Sequence, residues 1–278
     1  MNNLPIGIID SGVGGLTVLK EAIKQLPQES FYYLGDNARC PYGNRDKNEV
    51  IKYTVEMADY LMNKGIKLLI VACNTATAAA LDILKKKLPI PVIGVIKPGS
   101  LAAIEKTKNK NIGVIGTKGT IDSGLYPFML KAERDDLNIS NLSCPEFVTL
   151  VENNEYKTDK AKKIVTKVLA PLESKNIDTL ILGCTHYPLL KPFIQVALGS
   201  HVKLVDSGKE TISDVKKVLD QMSLESTSNL NQNQIKLLTT GNLDSFKSIA
   251  EEWLNLHDIN VEKVILGSIK GEESKENE

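Results

Sequence analysis

Leu68-Leu69-Ile70-Val71-Ala72-Cys73-Asn74-Thr75 and Leu180-Ile181-Leu182-Gly183-Cys184-Thr185-His186 are the stretches on which the fold turns. Each is a short apolar run, strand-like in length, that ends in a cysteine followed by polar groups. A run that is apolar at consecutive positions reads as a parallel strand covered on both faces. The cysteine then falls where the strand stops and a helix is expected to start. Open α/β sheets bind ligands at the carboxyl ends of their strands. Two thiols delivered in this way by two parts of one chain can face each other across one ligand. That arrangement suits removal of a proton from one face of a carbon and delivery to the other.

Working outward, strand and helix signals alternate. Ile6–Ile9 is a short strand closed by Asp10-Ser11-Gly12-Val13-Gly14-Gly15, and Leu16–Leu26 repeats apolar residues at helical spacing before Pro27. Phe31–Leu34 is a second strand that opens into the turn-rich loop Gly35–Gly43, and Lys47–Lys64 reads as a helix. After the Cys73 strand come a helix over Thr75–Leu88 and a strand over Val92–Ile96. The alternation predicts an α/β protein with helices on both faces of a parallel sheet. The pattern then restarts: Ile112–Gly116 leads to Thr117-Lys118-Gly119-Thr120, and the Cys184 strand follows at nearly the separation seen between Asp10 and Cys73. A third echo is Leu204-Val205-Asp206-Ser207-Gly208, which repeats the character of Ile8–Gly12. Two similar three-layer units are therefore expected, with residues 1–97 plus 209–278 in the first and 98–208 in the second. Ile235–Thr240 is a late strand expected to rejoin the first sheet, and Ser245–Leu256 a last amphipathic helix. The polar stretch Met222–Gln234 reads as a surface connection and the charged Gly271–Glu278 as a frayed end.

Bulk composition narrows the function. A chain of 278 residues with 42% hydrophobic and 24% charged residues is ordinary for a globular protein. Its 34 basic and 34 acidic residues cancel, so no global field draws nucleic acid or an anionic membrane. No apolar run reaches membrane-span length, and Met1–Pro5 lacks the basic segment of a signal peptide. Cys40, Cys73, Cys144 and Cys184 are scattered, without a C-x-x-C pair, which fits free thiols in a reducing cytoplasm.

The candidate residues each have a plainer reading. A strand-end cysteine is often a small buried hydrophobe. Here two of them share a position and polar followers, and a helix start beside a thiol favours its anion. Cys40 and Cys144 lie in loop-like contexts and read as structural. Asp10-Ser11-Gly12-Val13-Gly14-Gly15 is neither G-x-G-x-x-G nor a P-loop; it suits a helix cap, or an ammonium partner beside a hydroxyl donor. His186 beside Cys184 is short of zinc-ligand spacing in a chain whose other histidines are His201 and His257, so no metal is expected. Glu152 reads as a solvated carboxylate.

Taken together and in order, Asp10-Ser11-Gly12, Pro41-Tyr42-Gly43, Ala72-Cys73-Asn74-Thr75 and Gly183-Cys184-Thr185-His186-Tyr187-Pro188 resemble glutamate racemases of the aspartate/glutamate racemase superfamily. The resemblance runs from about Ile6 to Gly267. It implies a cofactor-independent isomerase that interconverts L- and D-glutamate, supplies the D-isomer for peptidoglycan and forms a homodimer. It implies two similar α/β domains with the active site in the cleft between them. Carried over, Cys73 is the base for D-glutamate and Cys184 the base for L-glutamate, assisted by Asp10 and His186, with Glu152 supporting His186. Asp10, Ser11, Tyr42, Gly43, Asn74, Thr75, Thr185 and His186 are then placed around the substrate, with Thr117 and Thr120 lining the site.

Two departures stand out: Lys97-Pro98-Gly99 replaces the family's Glu-Pro-Gly, and Thr149 stands where proline is common. The competing expectations are a racemase for aspartate or another small amino acid, and a two-domain protein that only binds an amino acid. The physical problem is the same for either racemase. An α-proton is very weakly acidic, and without a cofactor the site must stabilise charge with oriented dipoles in a dry cleft.

Overall fold

The computed structural model describes residues 2–227 and 235–267. The expected tail at Gly271–Glu278 and residues 228–234 of the polar connection lie outside them.

The chain runs β1 (Ile6–Asp10), α1 (Leu16–Gln25), β2 (Phe31–Gly35), α2 (Lys47–Asn63), β3 (Leu68–Val71), α3 (Asn74–Lys87) and β4 (Val92–Gly94). It then passes through α4 (Ile96–Lys106) to β5 (Asn111–Gly116), α5 (Lys118–Asp122), α6 (Leu125–Glu133), β6 (Asn138–Ser143), α7 (Pro145–Glu152), α8 (Asp159–Glu173), β7 (Thr179–Gly183), α9 (Lys191–Leu198) and β8 (Lys203–Asp206). It returns through α10 (Ser207–Gln221) to β9 (Ile235–Thr239), α11 (Leu243–Leu254) and β10 (Val261–Lys263).

Two sheets result, a six-stranded one in the order β10-β9-β2-β1-β3-β4 and a four-stranded one in the order β6-β5-β7-β8. Every strand pairing among the described residues is parallel. The order β2-β1-β3-β4 inside the first sheet recurs as β6-β5-β7-β8 in the second, which makes β3 and β7, the two cysteine strands, equivalent. Both are buried along their whole length, as are β1 and nearly all of β5, because helices cover both faces. The late strand β9 pairs with β2, so the end of the described chain completes the first sheet.

Residues at the two crossings meet. Helix α10 packs on both α1 and α4, so the outgoing and returning segments touch. A Cβ on Gly99 would lie 2.5 Å from Ser207 Oγ and 3.1 Å from its Cβ, so the two crossings approach closely here. The returning segment is also tied by the buried Lys67 ammonium, which donates to the carbonyl of Leu224 at 2.7 Å and pairs with Glu29 at 2.6 Å.

Three expectations change. The strand read as Val92–Ile96 stops at Gly94, and Lys97-Pro98-Gly99 lies in the first turn of α4. Proline at that place needs no amide hydrogen, so it starts a helix well. The second cysteine is not followed directly by an α-helix: Thr185 and His186 lead into a 3₁₀ turn at Tyr187–Leu190, and α9 begins only at Lys191. The third change is an addition, the short edge strand β10, whose three residues, Val-Glu-Lys, carry too short an apolar signal to be read as a strand. Among the described residues no helix is long and apolar enough to cross a membrane.

Candidate active site

The carboxyl ends of β1, β3, β5 and β7 converge with the loop after β2. Cys73 caps α3, its Sγ accepting from the Ala76 N–H at 3.4 Å, and is 6% exposed. Cys184 follows β7 and is 7% exposed. The Cys184 sulfur is close enough for negative charge on it to raise the pKa of Cys73. Burial pushes the Cys73 thiol from an ordinary 9.0 up to about 12, and the charge of Asp10 acts in the same direction. The Ala76 N–H and the Ser11 hydroxyl pull it back by hydrogen bonding the sulfur.

Cys184 has different company. Its Sγ lies 3.7 Å from Nδ1 of His186, whose Nε2 lies 2.5 Å from Oε1 of Glu152. Burial alone would strip the proton from this imidazole. The contacts to Cys184 and Glu152 outweigh burial and carry His186 well above the usual histidine range. Asp10 sits between the two thiols' environments. It is fully buried, which raises its pKa, although the His186 imidazolium and the Gly15 and Gly12 N–H groups oppose the rise. Its Oδ2 accepts from the Gly12 N–H at 3.0 Å and its Oδ1 from the Thr185 hydroxyl at 3.4 Å.

On the other side of the cleft, the hydroxyls of Thr75, Thr117 and Thr120 form a closed triangle with edges of 2.9, 3.2 and 3.0 Å. Thr75 comes from the first unit and the other two from the turn after β5. The Tyr42–Asn44 turn packs on the same place: a Cβ on Gly43 would lie 2.7 Å from Thr117 Cβ. The Tyr42 phenol donates to the Asp36 carboxylate that also holds Arg39 at 2.6 Å. What Tyr42 and Gly43 can offer a ligand is backbone. Asn74 donates through Nδ2 to the Tyr126 hydroxyl at 2.8 Å, which in turn meets Ser207 Oγ at 2.9 Å.

Contacts between the two units thus join Asp10 to Thr185 beside the Cys184, His186 and Glu152 line, and Thr75 to Thr117 and Thr120, while Ser11 meets the Cys73 sulfur and Asn74 meets Tyr126. Sequence reasoning did not connect Cys40 with this site; its Sγ lies 3.9 Å from Glu152 Oε1. It also missed Tyr126, Ser207 and Thr17, the last reaching the Thr185 carbonyl at 3.0 Å. The Ser207 echo was the one available signal: the Gly208 N–H donates to Asp206 at 3.1 Å, as the Gly12 N–H does to Asp10. No group of three or more His, Cys, Asp or Glu among the described residues is arranged to hold a metal ion.

Residues 6–215 match the model of the Asp/Glu/hydantoin racemase family. The chain belongs to that family. Among the racemase's relatives, a glutamate racemase of Listeria monocytogenes is 54% identical over 94% of this chain and 98% of its own length. A glutamate racemase isoform of Bacillus anthracis superimposes with a TM-score of 0.92 at 45% identity, covering 95% of this racemase and 98% of that chain. One from Francisella tularensis, solved in complex with D-glutamate, gives 0.89 at 32% identity, again covering 95% and 98%.

Proposed function

We propose that this racemase interconverts L- and D-glutamate without a cofactor, using Cys73 and Cys184 as bases on opposite faces of the substrate. The observation that carries the reading is the pair of equivalent strands, β3 and β7, each delivering a buried cysteine to the same space with a different set of companions. Homology to enzymes named for glutamate supports the substrate.

Starting from L-glutamate, the Cys184 sulfur, as thiolate, takes the α-proton. An S–H bond forms, the Cα–H bond breaks, and the electron pair spreads onto the α-carboxylate. The protonated imidazole of His186, held by Glu152, balances negative charge on that sulfur before transfer. The Cys73 thiol, kept protonated by burial, then gives its proton to the opposite face and is left as thiolate. Starting from D-glutamate, the roles reverse. Asp10 and Ser11 suit the ammonium group and the Cys73 sulfur respectively. The helix N-terminus at Asn74 and Thr75 offers N–H donors to a carboxylate, the Ala76 N–H being held by the Cys73 sulfur. The hydroxyl triangle of Thr75, Thr117 and Thr120 provides donors for a second carboxylate once the threonines turn from each other. The D-isomer made in this way would serve peptidoglycan synthesis in the cytoplasm, with the enzyme a homodimer of two-unit chains divided near residues 97 and 208.

The test follows the ellipticity of L-glutamate after addition of the enzyme, with L-aspartate in parallel. Decay to zero with glutamate and a constant signal with aspartate is expected. Decay with aspartate alone would give the site to the shorter substrate, and binding of glutamate with no decay would leave only a binding protein.

A further inference from the structure

We propose that Thr17 is a positioning residue for the Cys184 base, acting through the peptide bond between Thr185 and His186; this rests on the function argued above. Thr17 lies in the first turn of α1, a helix whose buried Leu16, Val18, Leu19 and Ala22 make it a core element of the first unit. Its Oγ1 lies 2.9 Å from the Gly14 carbonyl and 3.0 Å from the Thr185 carbonyl. The first contact is the local back-bond that threonine makes to the preceding turn. The second leaves the first unit and ends on the residue next to the second cysteine. One hydroxyl proton thus faces two carbonyls, one in the turn after β1 and one in the turn after β7.

The two cysteines differ in how they are held. Cys73 is built into the cap of α3. Cys184 is followed by a 3₁₀ turn, whose Tyr187 N–H donates to the Cys184 carbonyl at 3.1 Å, and no side-chain cap is made there, so the Thr185 carbonyl is held by Thr17 from the other unit. A trans peptide is planar, so pinning the Thr185 carbonyl also fixes the His186 N–H in the opposite direction. That sets the path of the chain between the sulfur and the imidazole. A void of about 10 Å³ adjoins this stretch, touched by Thr17, Leu182, Cys184, Thr185 and Pro188. That is room for about one water molecule, so packing alone does not fill the place beside Thr185. Proton transfer depends steeply on the placement of the reacting atoms.

The experiment compares Thr17→Val, which keeps shape and removes the hydroxyl, with Thr17→Ser, which keeps the hydroxyl. Two quantities are read: kcat and KM for glutamate, and the rate of Cys184 alkylation by iodoacetamide relative to Cys73, by peptide mass spectrometry. Thr17→Val is expected to lower kcat roughly tenfold with KM within about twofold, the scale of one lost hydrogen bond. It should shift the alkylation ratio by about threefold or more, and Thr17→Ser should restore both. A Thr17→Val protein with the wild-type ratio overturns the proposal whatever its turnover, and so does a Thr17→Ser protein that fails to restore it. The ratio needs no turnover. A wild-type protein that does not racemise glutamate therefore removes the proposed function and leaves Thr17 to be judged by the ratio alone.

Discussion

His186 Nε2 lies 2.5 Å from Glu152 Oε1, and the opposite ring nitrogen of His186 faces the Cys184 sulfur at 3.7 Å. The carboxylate comes from the end of α7 and the thiol from the end of β7, so the line is assembled by tertiary packing. Phe147 and Tyr187 fix it, meeting edge-on with ring centroids 5.3 Å apart beneath the loop. A thiol, an imidazole and an orienting carboxylate in this order form the general pattern of an activated sulfur.

Glu152→Gln keeps the shape and removes the charge. A charge-assisted hydrogen bond contributes about 1.5–3 kcal/mol, so kcat should fall by about 10- to 100-fold. The sign of the pH effect follows from the contacts. Glu152 helps to raise His186, so its removal lets the imidazole lose its proton at lower pH. The deficit should therefore widen as pH rises, measured as the ratio of variant to wild-type kcat across the neutral and alkaline range. A ratio that narrows with rising pH would contradict the pairing.

The turn after β1 is pressed against the same imidazole. A Cβ on Gly14 would overlap Thr185 Oγ1 and lie 2.7 Å from both Nδ1 and Cε1 of His186, whereas the nearest atom to one on Gly12 would be Cys40 Sγ at 3.0 Å. Gly14→Ala must displace the Thr185 hydroxyl and the His186 ring, while Gly12→Ala asks for a small movement of a thiol. kcat/KM should fall at least about tenfold further in Gly14→Ala than in Gly12→Ala. Equal losses would mean that His186 has no strict place.

Stability should decline at alkaline pH. Burial raises the Cys73 thiol from 9.0 to about 12, and it raises Cys40, Cys144, Tyr126 and Tyr187 as well. Above about pH 9 the unfolded chain releases these thiol protons while the folded chain keeps them, so the free energy of unfolding falls with rising pH. The contribution is complete below about pH 9 and is lost progressively as pH climbs toward 12. Melting temperatures under reducing conditions should drop between about pH 8.5 and 10.5, and Cys144→Ala should flatten the slope. A Tm that holds constant over that range would contradict the burial of these groups.

The parts of this molecule legible in the sequence were those with local signatures. Continuous apolar runs gave β1, β3, β5 and β7, and the residues at their tips gave both cysteines, Asp10 and His186. The late strand at Ile235 was readable for the same reason, and its pairing with β2 follows from completing the first sheet. β6, Asn-Ile-Ser-Asn-Leu-Ser, is a partly exposed strand with no apolar run to announce it. Lys97-Pro98-Gly99 looked like a strand end because proline and glycine usually stop structure, yet here they open α4. Cys40 looked incidental because nothing in its own loop points to Glu152, which lies 112 residues away in the chain. Thr17 looked like one more residue on a core helix. Contacts of this kind depend on how the two units dock, which no local pattern encodes.

The central claim, one base on each face, is tested most directly by the fate of the α-hydrogen in deuterium oxide. The enzyme is supplied with protiated L-glutamate, and both enantiomers are recovered at low conversion for mass spectrometry. The donor thiol exchanges with solvent before substrate binds, so the account predicts that newly formed D-glutamate carries deuterium at Cα while the remaining L-glutamate keeps protium. The mirror result should hold when the reaction starts from D-glutamate. New D-glutamate that retains the original protium, or deuterium entering the remaining L-glutamate as fast as the product forms, would mean that a single group serves both faces, and would contradict the assignment of Cys73 and Cys184 as opposed bases.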